Sequence, residues 1–495
     1  MSKIVCSILR AARSPIPGPR LAKYTSWWMK WRELQAHGNF VQVTHQMHKK
    51  YGPIVQLSPR EISFNHIDAL RDIYTKPRGG LDGSFEVSLL EQYGSENLVS
   101  TLDSKLHAAR RKGVVGLYAS PTISSPASQA VLKLNIDQLM NVLDAEASKS
   151  PTGMVNVFPL LKYLAADVMI HMVYGPEKAP NFLTNAESRV MLKSLEVQVV
   201  QQTFSIIGIV VRWFPGVLLA LLRLFKPRSE IGDFGMERVL NAVATGPEGQ
   251  QENATHLQHL LAMFRKDGPS PVIPSTTYIA SDCLDHFLAG TLTTADLLAA
   301  LIWRLSLPEN KVVQAKLRQE LHDAGVLPGT DVDSSFLQKL PYLNCVLRET
   351  FRTDPPIQFG PPRLVKTKNE PVVVMGLTIE PGTTISAQPY TLHRDPETFP
   401  DPDIWKPERW DIPTTSPEAR RMQRMLMPFG AGPRMCTGMH LAWAEIRLTA
   451  ARIYSTLETS LDDIWLDGDG NLLPKEKRKS LFPTTGKAPI IFRKI

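Results

Sequence analysis

Met427-Pro-Phe-Gly-Ala-Gly-Pro-Arg-Met-Cys-Thr-Gly-Met-His440 is the stretch that decides how this 495-residue chain is read. Three glycines and two prolines surround a single cysteine, and a helical pattern follows from Met439 to Leu457. Gly430 and Gly432 permit a tight turn that residues with a Cβ would resist. Gly438, just past the sulfur, lets a flat ligand approach the backbone. The following helix would point its N-terminal N–H groups back at Cys436, favouring a thiolate and lowering its pKa, and Arg434 adds a positive charge nearby. A lone cysteine is usually an inert buried residue, but here the spacing outweighs that expectation.

Outward from this loop, composition narrows the field. The chain is 43% hydrophobic, enough for a large buried core. Lys plus Arg number 56 against 48 for Asp plus Glu, a net charge of +8. No dense basic cluster interleaved with aromatics is present, which argues against nucleic acid as a partner. An anionic membrane surface, an acidic electron donor or an anionic cofactor fits the excess equally well. Cys6, Cys283, Cys345 and Cys436 form no C-x-x-C pair and are too few for a disulfide scaffold, so a reducing, cytosol-facing location is expected.

Residues 1–20 read as a short N-terminal segment with a Pro-rich hinge, Ser14 to Pro19, and residues 21–495 as one large domain. The apolar run Ile4 to Leu9 is far shorter than the ~20 residues of a bilayer span. A second apolar run, Phe204 to Phe225, is interrupted by Arg212 and Pro215-Gly216. It reads as a surface that dips into the bilayer, with a buried core segment and a spanning helix as alternatives.

Helical patterns dominate, notably Ser128 to Ser148, Asp282 to Leu305 and Leu307 to Ala324. Strand signals are short: Tyr51 to Ser58 with Glu61 to Phe64, Pro371 to Ile385 with turns at Gly376 and Pro381-Gly382, and Ala488 to Ile495. The expected fold is mainly α with small β-sheets.

Phe429, Gly432, Arg434, Cys436 and Gly438 match F-x-x-G-x-R-x-C-x-G, and on that signature the chain resembles the cytochrome P-450 family. The resemblance runs through the chain in order. Glu349 and Arg352 form E-x-x-R, and Pro407-Glu-Arg-Trp410 resembles P-E-R-F. The resemblance implies a buried structural network of Glu349, Arg352 and Arg409. It implies haem b with Cys436 as axial iron ligand, and Arg434, Arg363, His107 and Arg111 as partners of the haem propionates. His107 stands where tryptophan is commoner. Ala289-Gly-Thr-Leu-Thr-Thr294 resembles A-G-x-D/E-T-T, which places Ala289 and Gly290 over the porphyrin and Thr293 beside bound dioxygen. A threonine bonded to its own helix is the competing reading of Thr293. Leu292 replaces the acid that family members carry before this threonine, which puts the usual proton route in doubt.

The activity implied is monooxygenation of a lipophilic small molecule. Electrons would come from NADPH through a reductase, with a cytochrome b-type donor as a second source. Asp285-His-Phe-Leu-Ala-Gly290 and Leu301 to Pro308 resemble filamentous-fungal members, which points to terpenoid, polyketide or alkaloid biosynthesis. Leu292 keeps a P-450-fold isomerase, dehydratase, desaturase or peroxygenase open, and a non-catalytic haem-binding protein is the third reading. The expected location is the cytosolic face of the endoplasmic reticulum, peripheral or monotopic, with the cytoplasm as alternative, and no full transmembrane anchor is evident.

Overall fold

The computed structural model describes residues 14–36, 39–75, 81–83, 90–177, 179–192, 229–245, 255–366, 371–462, 465 and 488–494. The apolar runs 4–9 and 204–225 lie outside the described residues.

The main helices are α1 (Trp27–Gln35), α2 (Phe40–Tyr51), α3 (Ser104–Val114), α4 (Pro126–Ser148), α5 (Val157–Tyr174), α6 (Glu230–Thr245), α7 (His256–Asp267), α8 (Thr276–Ser306), α9 (Lys311–Asp323), α10 (Pro341–Thr353), α11 (Pro417–Met425) and α12 (Met439–Tyr454). Their starts follow local chemistry. Ser125 caps α4 at Ser128 N with Pro126 in the first turn, and Thr255 and Gln258 form a reciprocal capping box on α7. Leu307 to Ala324 divides: Pro308 starts a 3-10 turn before α9 takes over at Lys311.

The core is built around α8 and α5, which pack along one another. Both are long and apolar enough to cross a membrane, and both bury most of their surface inside the protein. Their close approach needs Gly290: a Cβ there would collide with Met169 on α5.

The strands are β1 (Ile54–Ser58), β2 (Glu61–Phe64), β3 (Leu81–Gly83), β4 (Met154–Asn156), β5 (Arg363–Val365), β6 (Val372–Val374), β7 (Leu377–Ile379), β8 (Thr384–Ala387), β9 (Leu457–Leu461) and β10 (Pro489–Lys494). They form a five-stranded sheet in the order β1-β2-β8-β5-β3, a three-stranded sheet β4-β10-β9 and the pair β6-β7. The region 371–385 is therefore split. β6 and β7 turn on Met375 and Gly376, both at positive φ, while β8 leaves to pair in parallel with β2, Glu61 opposite Thr384. Among the described residues one large hydrophobic cluster runs from Ile62 to Phe492, and a smaller one joins Met29, Val43, Met47, Val55 and Leu57 beneath the N-terminal helices.

Candidate functional site

The cysteine loop is closed by its own backbone. Cys436 N donates to Phe429 O at 2.8 Å, and α12 begins just beyond, at Met439. Gly432 has φ +70°, and a Cβ there would run into the carbonyl oxygen of Tyr74. At Gly438 a Cβ would lie 3.9 Å from Cys436 Sγ and fill the space beside the sulfur. The Phe429 ring packs 5.0 Å from Phe351, anchoring the loop on α10.

Cys436 is accessible, whereas Cys283 and Cys345 are buried. Yet protein encloses it on most sides, and this burial pushes the thiol pKa up; the Gly438 N–H and Arg111 only oppose the shift. The sequence-based expectation of a lowered pKa is thus corrected: desolvation outweighs the helix end and the nearby guanidinium. The sulfur is therefore open to small molecules although protein surrounds most of it.

A wall of cations stands beside it. Arg434 donates to the carbonyls of Thr101 and Leu102 at 2.8 and 2.7 Å, and Arg111, on α3, donates to Met435 O. Arg363 is buried at the start of β5 with its guanidinium 5.2 Å from the Tyr74 ring centre. Burial, then Arg434, Arg111, Arg363 and Arg110, push His107 down to about 3, so it is neutral at working pH. Burial and Arg363 push Arg434 down to about 10. Positive charges crowded this closely are relieved by an anion. An accessible thiol, the cradle at Gly438 and a cationic wall therefore fit a flat, dianionic, thiolate-ligated group such as haem.

On α8 the partly or fully accessible positions include Asp285, Leu288, Ala289, Leu292, Thr293 and Asp296, spaced i, i+3, i+4, i+7, i+8 and i+11. That is one helical face in an otherwise mostly buried helix. Thr293 Oγ1 donates to Ala289 O at 2.8 Å, so its hydroxyl proton rests on its own helix while its oxygen can still accept. Asp285 makes no hydrogen bond or ion pair among the described residues, and burial with Asp282 nearby pushes its carboxyl pKa well up.

His286 is held away from that face. Its Nδ1 bonds Asp282 O at 2.9 Å, and its ring stacks 5.5 Å from Tyr118. Asp282 also meets His256 Nε2 at 2.9 Å and accepts from Leu98 N at 2.7 Å. Burial opposes its charge, but His286 and His256 hold its carboxyl low. The ligating atoms of His256, Asp282 and His286 lie within 4.8 Å of one another. Those facing atoms are already hydrogen-bonded, and the cluster ties α7, α8 and the loop at Leu98 together. The sequence reading missed it, because His256 sits 26 residues before Asp282.

Behind the cysteine loop the structure brings together Glu349, Arg352 and Arg409. Arg352 donates to both Glu349 oxygens, Arg409 Nε to Oε1 at 3.0 Å, and Trp410 Nε1 to Oε2 at 2.9 Å. Arg352 also donates to the carbonyls of His393, Pro402 and Ile404.

The Cytochrome P-450 family profile matches residues 18–477, and the chain belongs to this family. Cytochrome P-450 monooxygenase FGM1 of Gibberella zeae is 25% identical over 457 residues, covering 90% of this chain and 87% of that protein. Tryptophan 6-hydroxylase fscE of Fusarium equiseti is 27% identical, covering 92% and 88%. A zebra fish cytochrome P-450 solved with progesterone superposes with a TM-score of 0.69 at 18% identity, covering 92% and 99%, and shares the fold.

Proposed function

We propose that this protein is a haem-thiolate monooxygenase that inserts one oxygen atom from O2 into a lipophilic small molecule in fungal secondary metabolism. The observation that carries this reading is the accessible, enclosed sulfur of Cys436 beside the wall of Arg434, Arg111 and Arg363. Haem b, when bound, supplies the oxygen-activating chemistry, with the thiolate pushing electron density onto iron. Cys436 would hold the haem iron through its sulfur. Metal coordination keeps such a thiol deprotonated whatever its free pKa.

Arg434, Arg111 and Arg363 neutralise the propionates, and neutral His107 offers a hydrogen bond. Phe429, Gly432 and Gly438 hold the loop in shape. Ala289 would keep α8 slim where it passes the porphyrin, Gly290 instead makes room for Met169 on α5, and Thr293 Oγ1, its proton donated to Ala289 O, is left as an acceptor on the accessible face of α8. Leu288 and Leu292 on the same face, and the exposed Ile357 and Phe359 after α10, are apolar positions that suit a lipophilic substrate. Residues 21–495 form the catalytic domain. The partners are NADPH–cytochrome P-450 reductase, a cytochrome b-type donor and the cytosolic membrane surface. The second reading, a P-450-fold isomerase, dehydratase, desaturase or peroxygenase, is favoured by Leu292 in place of an acid.

The test is the carbon monoxide difference spectrum of the dithionite-reduced protein beside Cys436→Ala. A strongly red-shifted Soret band that disappears in the variant supports the reading. An imidazole-type band, or a folded protein without haem, overturns it.

A further inference from the structure

Leu292 leaves the threonine of α8 without the carboxyl that would stand beside it, and the helix itself holds a replacement. From Ala289 to Leu297 the only acid is Asp296. It follows Leu292 by four residues and Thr293 by three, so its side chain neighbours both on the helix surface. It is the last of the partly accessible positions on that face, before a fully buried run from Leu297 to Trp303.

No hydrogen bond or ion pair engages its carboxyl among the described residues. The charged group whose field reaches it is Lys162 on α5, itself partly accessible. Burial raises the Asp296 carboxyl to about 6, with Lys162 opposing. Such a group exchanges protons near neutral pH.

The other candidates are worse placed. Asp285 precedes Thr293 by eight residues, about 12 Å along the axis. His286 is engaged with Asp282.

We propose that Asp296 relays protons from the solvent side at Lys162 to Thr293, replacing a carboxyl at position 292. This inference rests on the haem-thiolate reading above. A water near Lys162 gives a proton to an Oδ of Asp296. Asp296 passes a proton to the open lone pair of Thr293 Oγ1. Thr293 turns its own hydroxyl proton away from Ala289 O and gives it to an acceptor on the accessible face of α8, and the proton received from Asp296 takes over the bond to Ala289 O. The net event moves one proton from solvent to that acceptor and leaves both side chains as they began. Lys162 is a positioning residue that favours the ionised state, ready for the next proton.

The experiment uses full-length holoprotein with its reductase and no organic substrate, reading NADPH oxidation against pH in H2O and D2O. Wild type, Asp296→Asn, Asp285→Asn and Asp296→Asn/Leu292→Asp are compared at equal haem content, set by the carbon monoxide band. Wild-type oxidation should slow as pH rises through about 6. Asp296→Asn should lose that limb, slow on the order of 10²-fold and show a larger solvent isotope effect. The double variant should recover a carboxyl-dependent limb, which a structural defect would not.

Difference infrared spectroscopy of wild type minus Asp296→Asn, with or without haem, should show one carboxyl titrating near 6. Coincident rate profiles for wild type and Asp296→Asn, no such carboxyl, or the same loss in Asp285→Asn would each overturn the relay. Failure of the carbon monoxide band in every protein would instead sink the haem-thiolate reading.

Discussion

Arg352 grips Glu349 through two parallel hydrogen bonds, Nε to Oε2 at 2.9 Å and Nη2 to Oε1 at 2.8 Å, with both side chains fully buried. Glu349 also takes Arg409 and Trp410, so one carboxylate fixes α10 to the segment around residue 410. Removing that charge leaves two guanidiniums facing each other. Breaking a buried pair in this way costs about 3–5 kcal/mol. Glu349→Gln should therefore lower the unfolding free energy by that order, read in urea denaturation as a lower midpoint. Arg352→Lys should not preserve stability, because an ammonium cannot make the paired bonds. An unchanged midpoint in Glu349→Gln would show that the network is not structural.

Arg434 closes the cationic wall through two carbonyls, those of Thr101 and Leu102. Arg434→Ala should weaken haem retention by about 1.5–3 kcal/mol, on the order of tenfold to a hundredfold faster loss. Transfer of haem to an excess of apomyoglobin measures this directly. Arg434→Lys should fall between the two, since it keeps the charge and loses the fork. Equal transfer rates for wild type and Arg434→Ala would remove this residue from the haem site.

Gly290 lies where α8 meets α5, and a methyl there would collide with Met169. Gly290→Ala should destabilise the protein by about 1–3 kcal/mol through overpacking. Met169→Ala in the same chain should recover part of that loss by vacating the space. Urea denaturation of the two single variants and the double variant reads the coupling. Strict additivity would mean that the two residues do not contact each other.

The parts of this site that the sequence made legible are those where chemistry is written at fixed local spacing. Phe429 to Gly438 could be read because a positive-φ turn, a cation and a thiol follow one another within ten residues. Glu349 and Arg352 share a helical turn and read the same way. What stayed hidden depends on distance between elements. Nothing in the order of residues places Trp410 Nε1 on Glu349, His256 on Asp282, or β8 beside β2 rather than β7. The thiol pKa was misjudged for a related reason. The helix end and arginine are visible in sequence, but the enclosure of Cys436 is a property of the packed fold. Asp296 gives no motif at all and stands out only through its phase with Thr293 and its exposure.

His393 links the arginine network to the cysteine loop. Its Nδ1 meets Arg352 O at 3.1 Å and its Nε2 accepts from Met427 N at 2.9 Å. Nδ1 therefore carries the proton, and protonating Nε2 would set two N–H groups against each other. Burial pushes this imidazole down to about 3, and the buried His48 down to about 4. The sign follows from proton counting. Between about 3 and the unfolded value near 6.5, the unfolded chain binds protons that the folded chain refuses. Stability then rises with pH across that window and is lost as pH falls from about 6.5. At pH 4.5 His393 alone should cost on the order of 2 kcal/mol relative to neutral pH. Urea midpoints at pH 4.5, 5.5 and 7 should fall steadily toward acid, and His393→Gln should show a shallower slope on whatever stability it retains. If the slope is the same in both proteins, His393 is not the group that titrates on unfolding, and the coupling between the network and the cysteine loop must run through other contacts.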